Sequence, residues 1–300
     1  MSIDAKQVKE LRERTNAGIL DCKKALQETE GDMDEAVEYL EKKGITAARG
    51  KSGRVAAEGR VGFWSNDDRT EAALVEINCE TDFVARNDQF QEFVEEAVEA
   101  IGESGIGDVD DLGEVELDGK PVPEYVTEQI ATLGENIKVR RLHRLSNDAG
   151  TIGAYIHAGS QIGVLVSVDV EGDAKDDDVQ TFARDVAMHV AAMNPPYLSA
   201  DEIPEDDLES QKEVYASQME EEGKPEHIIP QIVEGKIGKW KSEVSLLEQP
   251  FVKDSDVTVG ELQDDKEGVE IAEFVRFEVG EGIETEEEDF AQEVADQLED

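Results

Sequence analysis

The sequence predicts an α+β protein in which helical segments flank a core of two small antiparallel sheets. Three observations favour this class. Residues 4–43 carry three short helical patterns, and residues 204–240 carry a pair of polar helical segments. Between them, residues 60–102 and 150–193 each contain two strand-like runs followed by a helical pattern. The 300 residues exceed what one ordinary core accommodates, so we expect several domains.

The amino-terminal segment predicts a compact three-helix domain. Val8 and Leu11 mark the buried face of the first helix, which Asp4 can cap. Asp32, with Glu35 three residues on, predicts a reciprocal cap at the start of the third helix. The apolar stripes of the second and third helices consist of Leu20, Ala25, Leu26, Met33, Val37 and Leu40. We expect the third helix to stop at Gly44 and residues 47–57, which are small and basic, to form a linker.

Part of this linker resembles a nucleotide-binding motif. Gly50-Lys51-Ser52 resembles the end of a phosphate-binding loop, but the motif needs a glycine where this chain has Ile45. The pattern also predicts no strand before it. The spacing therefore argues against a nucleotide site.

The first hairpin-plus-helix unit leads to a junction that we expect to be presented at the surface. Strand-like runs at 61–64 and 71–78 flank a turn, and a helical pattern covers 88–102. Asp82 and Phe83 fall between the second strand and that helix. After an acidic loop, a helix at 124–133 ends at Gly134 and a strand covers 136–145.

A second unit of similar order suggests an internal structural duplication. Strands are predicted at 150–158 and 161–170, followed by a helix at 176–193 on which His189 falls in the apolar stripe and is expected to be a packed core residue.

The last third predicts two helices joined as a projecting hairpin, 204–223 and 225–240, in which Pro230 should delay or kink the second helix. Residues 245–252 and the strand 268–279 should return to the second unit. Phe290, Val294 and Leu298 indicate a terminal helix.

Composition limits the classes of partner. The formal net charge is −45, with 74 acidic and 29 basic side chains spread along the chain. Such a surface argues against direct nucleic-acid or anionic-membrane binding, because both need Lys and Arg. It is typical of proteins in concentrated salt, where the screening length falls to roughly 3 Å at 1 M. The two cysteines predict no disulfide framework, and the sequence lacks a signal peptide or long apolar run, so we expect a cytoplasmic protein.

Motifs of covalent chemistry are absent from the sequence. The four histidines, His143, His157, His189 and His227, have no metal-binding or nucleophile-activating spacing, and with 74 carboxylates a close pair by chance carries no information. We therefore predict no enzyme, no metal and no cofactor. A hydrolase or nucleotide enzyme and a non-catalytic interaction scaffold remain as alternatives at this point.

The stretch Asn78-Cys79-Glu80-Thr81-Asp82-Phe83-Val84-Ala85-Arg86 resembles the signature of the elongation factor Ts family. Residues 134–137, Gly-Glu-Asn-Ile, with Arg140 and Arg141, match the family again, and the likeness extends over nearly the whole chain. It implies a ubiquitin-associated type of amino-terminal domain, a protruding coiled-coil hairpin and a carboxy-terminal module. The function it implies is that of a guanine nucleotide exchange factor, and the partner it implies is the GTPase elongation factor Tu, in its GDP-bound and nucleotide-free forms.

The resemblance also implies site residues. Thr81, Asp82, Phe83 and Val84 would form the exchange tip, in which Phe83 wedges between two helices of the GTPase and Asp82 positions it, loosening GDP and Mg²⁺. The implied docking positions are Arg12, Ile19, Leu20, Leu133 and His157. The alternatives are that Phe83 plugs a seam between hairpin and helix, and that Leu133 and His157 serve local packing.

Together these patterns predict five regions. They are a docking domain with linker at 1–55, a first core unit at 56–145, a second at 146–195 with 243–280, a helical hairpin at 196–242 and a carboxy-terminal helix module at 281–300.

Overall fold

A computed structural model describes residues 4–15, 17, 19–157 and 159–284, except the side chains at 45–47 and 49. The α+β class is confirmed. The predicted terminal helix lies outside the described residues. The helices are α1 (Ala5–Thr15), α2 (Ile19–Glu28), α3 (Met33–Lys51), α4 (Asp82–Ala85), α5 (Asp88–Ser104), α6 (Val122–Leu133), α7 (Asp177–Met193), α8 (Glu205–Glu221), α9 (Ile229–Val244) and α10 (Val259–Asp264). The strands are β1 (Glu58–Ser65), β2 (Glu71–Cys79), β3 (Glu116–Leu117), β4 (Lys120–Pro121), β5 (Lys138–Ser146), β6 (Gly150–Ile156), β7 (Ile162–Val170), β8 (Pro250–Phe251), β9 (Asp254–Thr258) and β10 (Val269–Glu278).

The chain divides into two compact units. Of the described residues, those up to 61, those at 75–142 and those from 278 onward form the first unit, and those at 62–74 and 143–277 form the second. The strand order is β1-β2-β5 in one three-stranded sheet and β10-β7-β6 in the other. In both sheets a later strand lies beside the second strand of the hairpin, so the two share the connectivity that the predicted duplication requires.

In the first unit, α1, α2 and α3 enclose a small apolar core as predicted, except that Leu20, expected on the apolar stripe of α2, is exposed. Its fully buried members are Leu11, Cys22, Ala25, Leu26 and Ala36. The Asp32 carboxylate accepts hydrogen bonds from the backbone of Asp34 and Glu35. The reciprocal half of this cap is replaced, because the Asp32 N–H donates to the Thr29 carbonyl at 2.9 Å.

The predicted stop at Gly44 is wrong. Helix α3 continues to Lys51 and takes in the first residues of the predicted linker. A mid-helix glycine costs about 1 kcal/mol, but α3 packs against α6 here. A Cβ on Gly44 would lie 3.2 Å from the Ala131 Cβ. The missing side chain therefore permits a close helix crossing, and this packing outweighs the local preference.

Strand β2 is buried from Ala72 through Cys79, which explains why its sequence lacks alternation. Within it, Glu76 is fully buried and accepts hydrogen bonds from Arg140 Nη1 at 3.0 Å and the Gly280 N–H at 2.8 Å. The Arg141 guanidinium also pairs with Glu76, and its Nη2 donates to the Glu278 carbonyl at 2.8 Å. Glu76 thereby fixes the segment after β10.

In the second unit, β6 and β7 pair antiparallel, from Gly150 opposite Asp169 to Ile156 opposite Gly163. Helix α7 packs on these two strands. The prediction for His189 is confirmed: it is fully buried, its Nε2 lies 2.9 Å from Gln249 Oε1, and its Nδ1 accepts from the Val252 N–H at 3.1 Å. Burial lowers the pKa of His189, so it is held neutral.

Helices α8 and α9 form the predicted helix pair and pack against each other. Pro230 lies in the first turn of α9, where its missing N–H leaves no hydrogen bond unmade, so the helix begins late. The Lys236 ammonium lies 5.1 Å from the centre of the Tyr215 ring, which links the two helices.

Candidate functional site

Residues 80–87 connect β2 to α5 through one extra helical turn, α4, in place of a plain junction. Thr81 is its N-cap in an extended conformation, and its side chain accepts a hydrogen bond from the Val84 N–H at 3.3 Å. Asn87 caps α5 in the same way through the Gln89 N–H. Asp82 and Phe83 are consequently the first two residues of a capped turn, and we call Thr81–Val84 the tip.

Phe83 projects from the tip, and the residue is 82% exposed. Ala85, two residues later, is 4% exposed, so the turn has one buried side and one open side. Asp82 is half-buried and pairs with Arg86 at 3.2 Å. The alternative that Phe83 plugs a seam does not agree with this exposure in the isolated chain.

Several groups fix the base of the tip. Arg60 Nη1 donates to the Ala85 carbonyl at 3.4 Å, and the Cys79 thiol donates to the Thr81 carbonyl at 3.3 Å. Burial, together with the negative charges of Glu135 and Glu58, raises the pKa of the Cys79 thiol to about 12. Cys79 therefore stays protonated and acts as a packed donor, not a nucleophile.

The loop after α6 holds the base of the tip through hydrogen bonds to Glu135. Gly134 ends α6 in the left-handed region at φ 85°, which turns the chain towards the tip. The next residue, Glu135, accepts hydrogen bonds from the N–H groups of Glu80 and Thr81, both at 3.0 Å, and from the Thr81 hydroxyl at 2.6 Å. Sequence analysis missed this role, although the polar pair Glu135-Asn136 between two apolar segments was a signal for it.

The predicted docking residues of the amino-terminal helices are all exposed. Arg12 lies on α1, and Ile19 and Leu20, which are 56% and 80% exposed, are the first two residues of α2. Two adjacent exposed apolar side chains at a helix start form a small patch. Within the described part of the chain, the hydrogen bonds and ion pairs do not connect this patch to the tip.

The other two predicted residues differ in setting. Leu133 is half-buried at the end of α6, two residues before Glu135, so the chain brings it close to the base of the tip. His157 follows β6 in the second unit, exposed, with its Nδ1 3.4 Å from the Tyr155 hydroxyl. It lines a largely apolar groove of about 560 Å³ together with Tyr155, Ile162, Met188, Ala191, Ala192, Val252 and Lys253.

The described ranges contain neither a cluster of metal ligands nor a membrane-spanning helix. Among those residues, no three His, Cys, Asp or Glu side chains are grouped so that they could hold a metal ion. None of the helices described there has the length and apolar character needed to cross a membrane.

Comparison with known proteins shows the family of this chain. The family model described as "Elongation factor TS" matches residues 80–281, which begin at the base of the tip and end at the Arg141 partner Glu281. The chain belongs to the elongation factor Ts family. It is 52% identical over 297 residues to elongation factor Ts of Halothermothrix orenii, with 98% of each chain covered. It is 48% identical over 299 residues to that of Clostridium perfringens, again with 98% of each covered. Membership of the elongation factor Ts family gives this chain a role in translation elongation and confirms the family predicted from the signature stretch.

Proposed function

We propose that this chain is a guanine nucleotide exchange factor that binds elongation factor Tu in its GDP form and promotes release of GDP and Mg²⁺. The observation that carries the proposal is the 82% exposure of Phe83 on a capped, anchored turn. Single exposed apolar residues are common on protein surfaces. Phe83 differs because the residues around it are fixed, so that its direction is set before a partner arrives.

The proposed mechanism follows from linkage. A factor that accelerates GDP loss must bind the nucleotide-free GTPase more tightly than the GDP form, and returning nucleotide then weakens its binding by the same factor. The tip would supply this difference: Phe83 enters between two helices of the GTPase and shifts the backbone around the GDP phosphates, while Asp82 makes polar contacts that position it. No covalent step by this chain is needed.

The energies indicate that the tip does not act alone. Shifting the equilibrium by about 10⁴ requires roughly 5.5 kcal/mol, whereas burying one Phe supplies about 1.5 to 3 kcal/mol. Further docking surfaces are therefore part of the proposal. The exposed pair Ile19 and Leu20, and the groove beside His157, are the two that we propose.

The deciding experiment measures release of a fluorescent GDP from elongation factor Tu by stopped flow, at increasing concentrations of this protein and fixed salt. An exchange factor raises the observed rate to a plateau far above spontaneous release. The alternative, a non-catalytic interaction scaffold, would bind the GTPase and leave the release rate unchanged. Acceleration without detectable nucleotide binding by this chain would also exclude a nucleotide enzyme.

A further inference from the structure

Two loops of the first unit are joined by a pair of carboxylates, each of which accepts hydrogen bonds from the other loop. Glu135, in the loop after α6, accepts three hydrogen bonds from Glu80 and Thr81. In return, Glu80 Oε1 accepts from the backbone N–H of Asn136 at 2.6 Å. Arg54 closes the group: its Nη1 lies 3.4 Å from Glu80 Oε2, and its carbonyl accepts from Asn136 Nδ2 at 2.8 Å. We call Glu80, Glu135, Asn136 and Arg54 the reciprocal latch.

We propose that Glu135 is a positioning residue for nucleotide exchange, which acts by fixing the direction in which Phe83 leaves the protein. This inference rests on the proposed function. Glu135 would not touch the GTPase or the nucleotide. Its effect on exchange would pass entirely through the tip.

The place of the hydrogen bonds supports a positioning role. All three reach the two residues that immediately precede Asp82, so they fix the backbone from which the turn starts. Thr81 is at once the N-cap of α4 and a donor to Glu135. Because α4 has only four residues, it is far too short to hold its own conformation. The orientation of Phe83 is therefore set by what holds Thr81.

The loop on the other side of the latch is flanked by buried residues. Asn136 and Ile137 are 7% and 3% exposed, and Ile130 of α6 is 6% exposed, so the loop that carries Glu135 is tied to the core on both sides. A carboxylate on a fixed loop, receiving N–H groups from a short turn, transmits the position of α6 to the tip. Charge-assisted bonds of this kind are stronger and more directional than neutral ones.

The test compares the wild type with Glu135→Ala, Glu135→Gln, Phe83→Ala and the double variant Glu135→Ala/Phe83→Ala. Glu135→Gln is the conservative variant, since one amide oxygen can still accept from both backbone N–H groups. Glu99→Ala is the matched control, because it removes an exposed carboxylate from α5 in the same unit. Thermal unfolding of all variants reports any general loss of stability.

The first readout does not depend on activity. Hydrogen exchange of individual amides, followed by NMR on the full chain, should show the Glu80 and Thr81 amides exchanging about tenfold faster or more in Glu135→Ala. Glu135→Gln should restore part of this protection. Unchanged protection of both amides in Glu135→Ala would overturn the latch itself.

The second readout is the maximal rate of GDP release from elongation factor Tu. Glu135→Ala should slow it on the order of tenfold through misplacement of Phe83, with partial recovery in Glu135→Gln and none of this loss in Glu99→Ala. In the Phe83→Ala background, adding Glu135→Ala should have a much smaller effect. An equal slowing in both backgrounds, or no slowing in the wild-type background, would overturn the positioning role.

If Phe83→Ala itself leaves the maximal rate unchanged, the proposed function of the tip fails. The hydrogen exchange of the Glu80 and Thr81 amides then still decides whether the latch exists.

Discussion

Phe83 and Phe90 occupy opposite environments on either side of the Asn87 cap. Phe83 is 82% exposed, whereas Phe90 is fully buried and its ring centre lies 6.2 Å from that of Phe93. The two residues have the same chemistry and lie close in sequence. Substituting each in turn therefore tests a role in partner binding against a role in folding.

Phe83→Ala should leave the melting temperature nearly unchanged, because the side chain has few contacts to lose. It should cost the complex about 2 kcal/mol or less on burial grounds. We expect the maximal rate of GDP release to fall by more than about tenfold, which corresponds to roughly 1.4 kcal/mol of barrier. Stopped-flow release at saturating concentration of the variant measures this directly.

Phe90→Ala is the matched control. Removing a fully buried Phe should lower the free energy of unfolding by about 3 to 5 kcal/mol, measured by urea denaturation. In the fraction that stays folded, the maximal release rate should be retained. If the two variants lose activity and stability in the same proportion, the tip is structural.

The exposed pair at the start of α2 should contribute to docking. Ile19→Ser and Leu20→Ser should each weaken association with elongation factor Tu, by up to about 1.5 to 3 kcal/mol if the side chain is buried in the complex. Because α3 packs against α6, these substitutions disturb the protein less than truncating the domain. A binding titration at fixed salt is the measurement. Val214→Ser, at a 46% exposed site on α8, is the control and should bind normally.

His157 and His189 provide a second matched pair. His157→Ala should slow exchange while the melting temperature barely changes, since the ring is exposed and its hydrogen bond to the Tyr155 hydroxyl, at 3.4 Å, lies at the surface. His189→Ala should lower the free energy of unfolding by about 2 to 4 kcal/mol, because it removes a buried ring with hydrogen bonds at both nitrogens. Equal losses of stability and exchange in His157→Ala would instead favour local packing.

Glu76 should be a major contributor to the stability of the first unit. Burial alone would raise the pKa of Glu76, but hydrogen bonds from the Gly280 N–H, Asn78 and Arg141 outweigh it and hold the pKa below the ordinary value of 4.5. Glu76→Gln removes the charge that Arg140 and Arg141 share, although both arginines keep their contacts to the segment after β10. The free energy of unfolding at pH 7 should fall by about 3 kcal/mol.

The pH dependence follows from the sign of this shift. A depressed pKa means that the stabilisation is fully present above pH 4.5 and is lost as the pH falls through the lower, folded-state value. The difference between wild type and Glu76→Gln, measured by denaturation at successive pH values, should therefore shrink below pH 4.5. Glu99→Gln serves as the exposed control and should show no such trend. A constant difference down to strongly acidic pH would contradict the assignment.

Salt should stabilise the whole chain. With 74 acidic and 29 basic side chains, unscreened repulsion opposes the compact state, and added KCl shortens its range. We expect the melting temperature to rise with KCl over the molar range in a calorimetric series. A flat or falling midpoint would show that the charge is already compensated within the fold.

Much of the fold was predictable because local patterns and tertiary packing agree. The strands β6 and β7, the helices α5 and α7 and the helix pair α8 and α9 lie where periodicity and turn residues placed them. Helix α3 was predicted too short, because its extension past Gly44 depends on Ala131 of a distant helix. Sequence spacing carries no information about such a crossing.

The sequence by itself determined the family, the order of the elements and the candidate tip, because these depend on residue identity and local periodicity. Only the tertiary structure decided that Phe83 is open while Phe90 is buried, and that Glu135 holds Thr81. It also decided that Glu76, a charged residue in an apolar strand, is balanced by Arg140, Arg141 and Gly280. The physical reason is common to all three: burial and hydrogen-bond partners come from residues remote in sequence, and they exist only once the chain has closed around them.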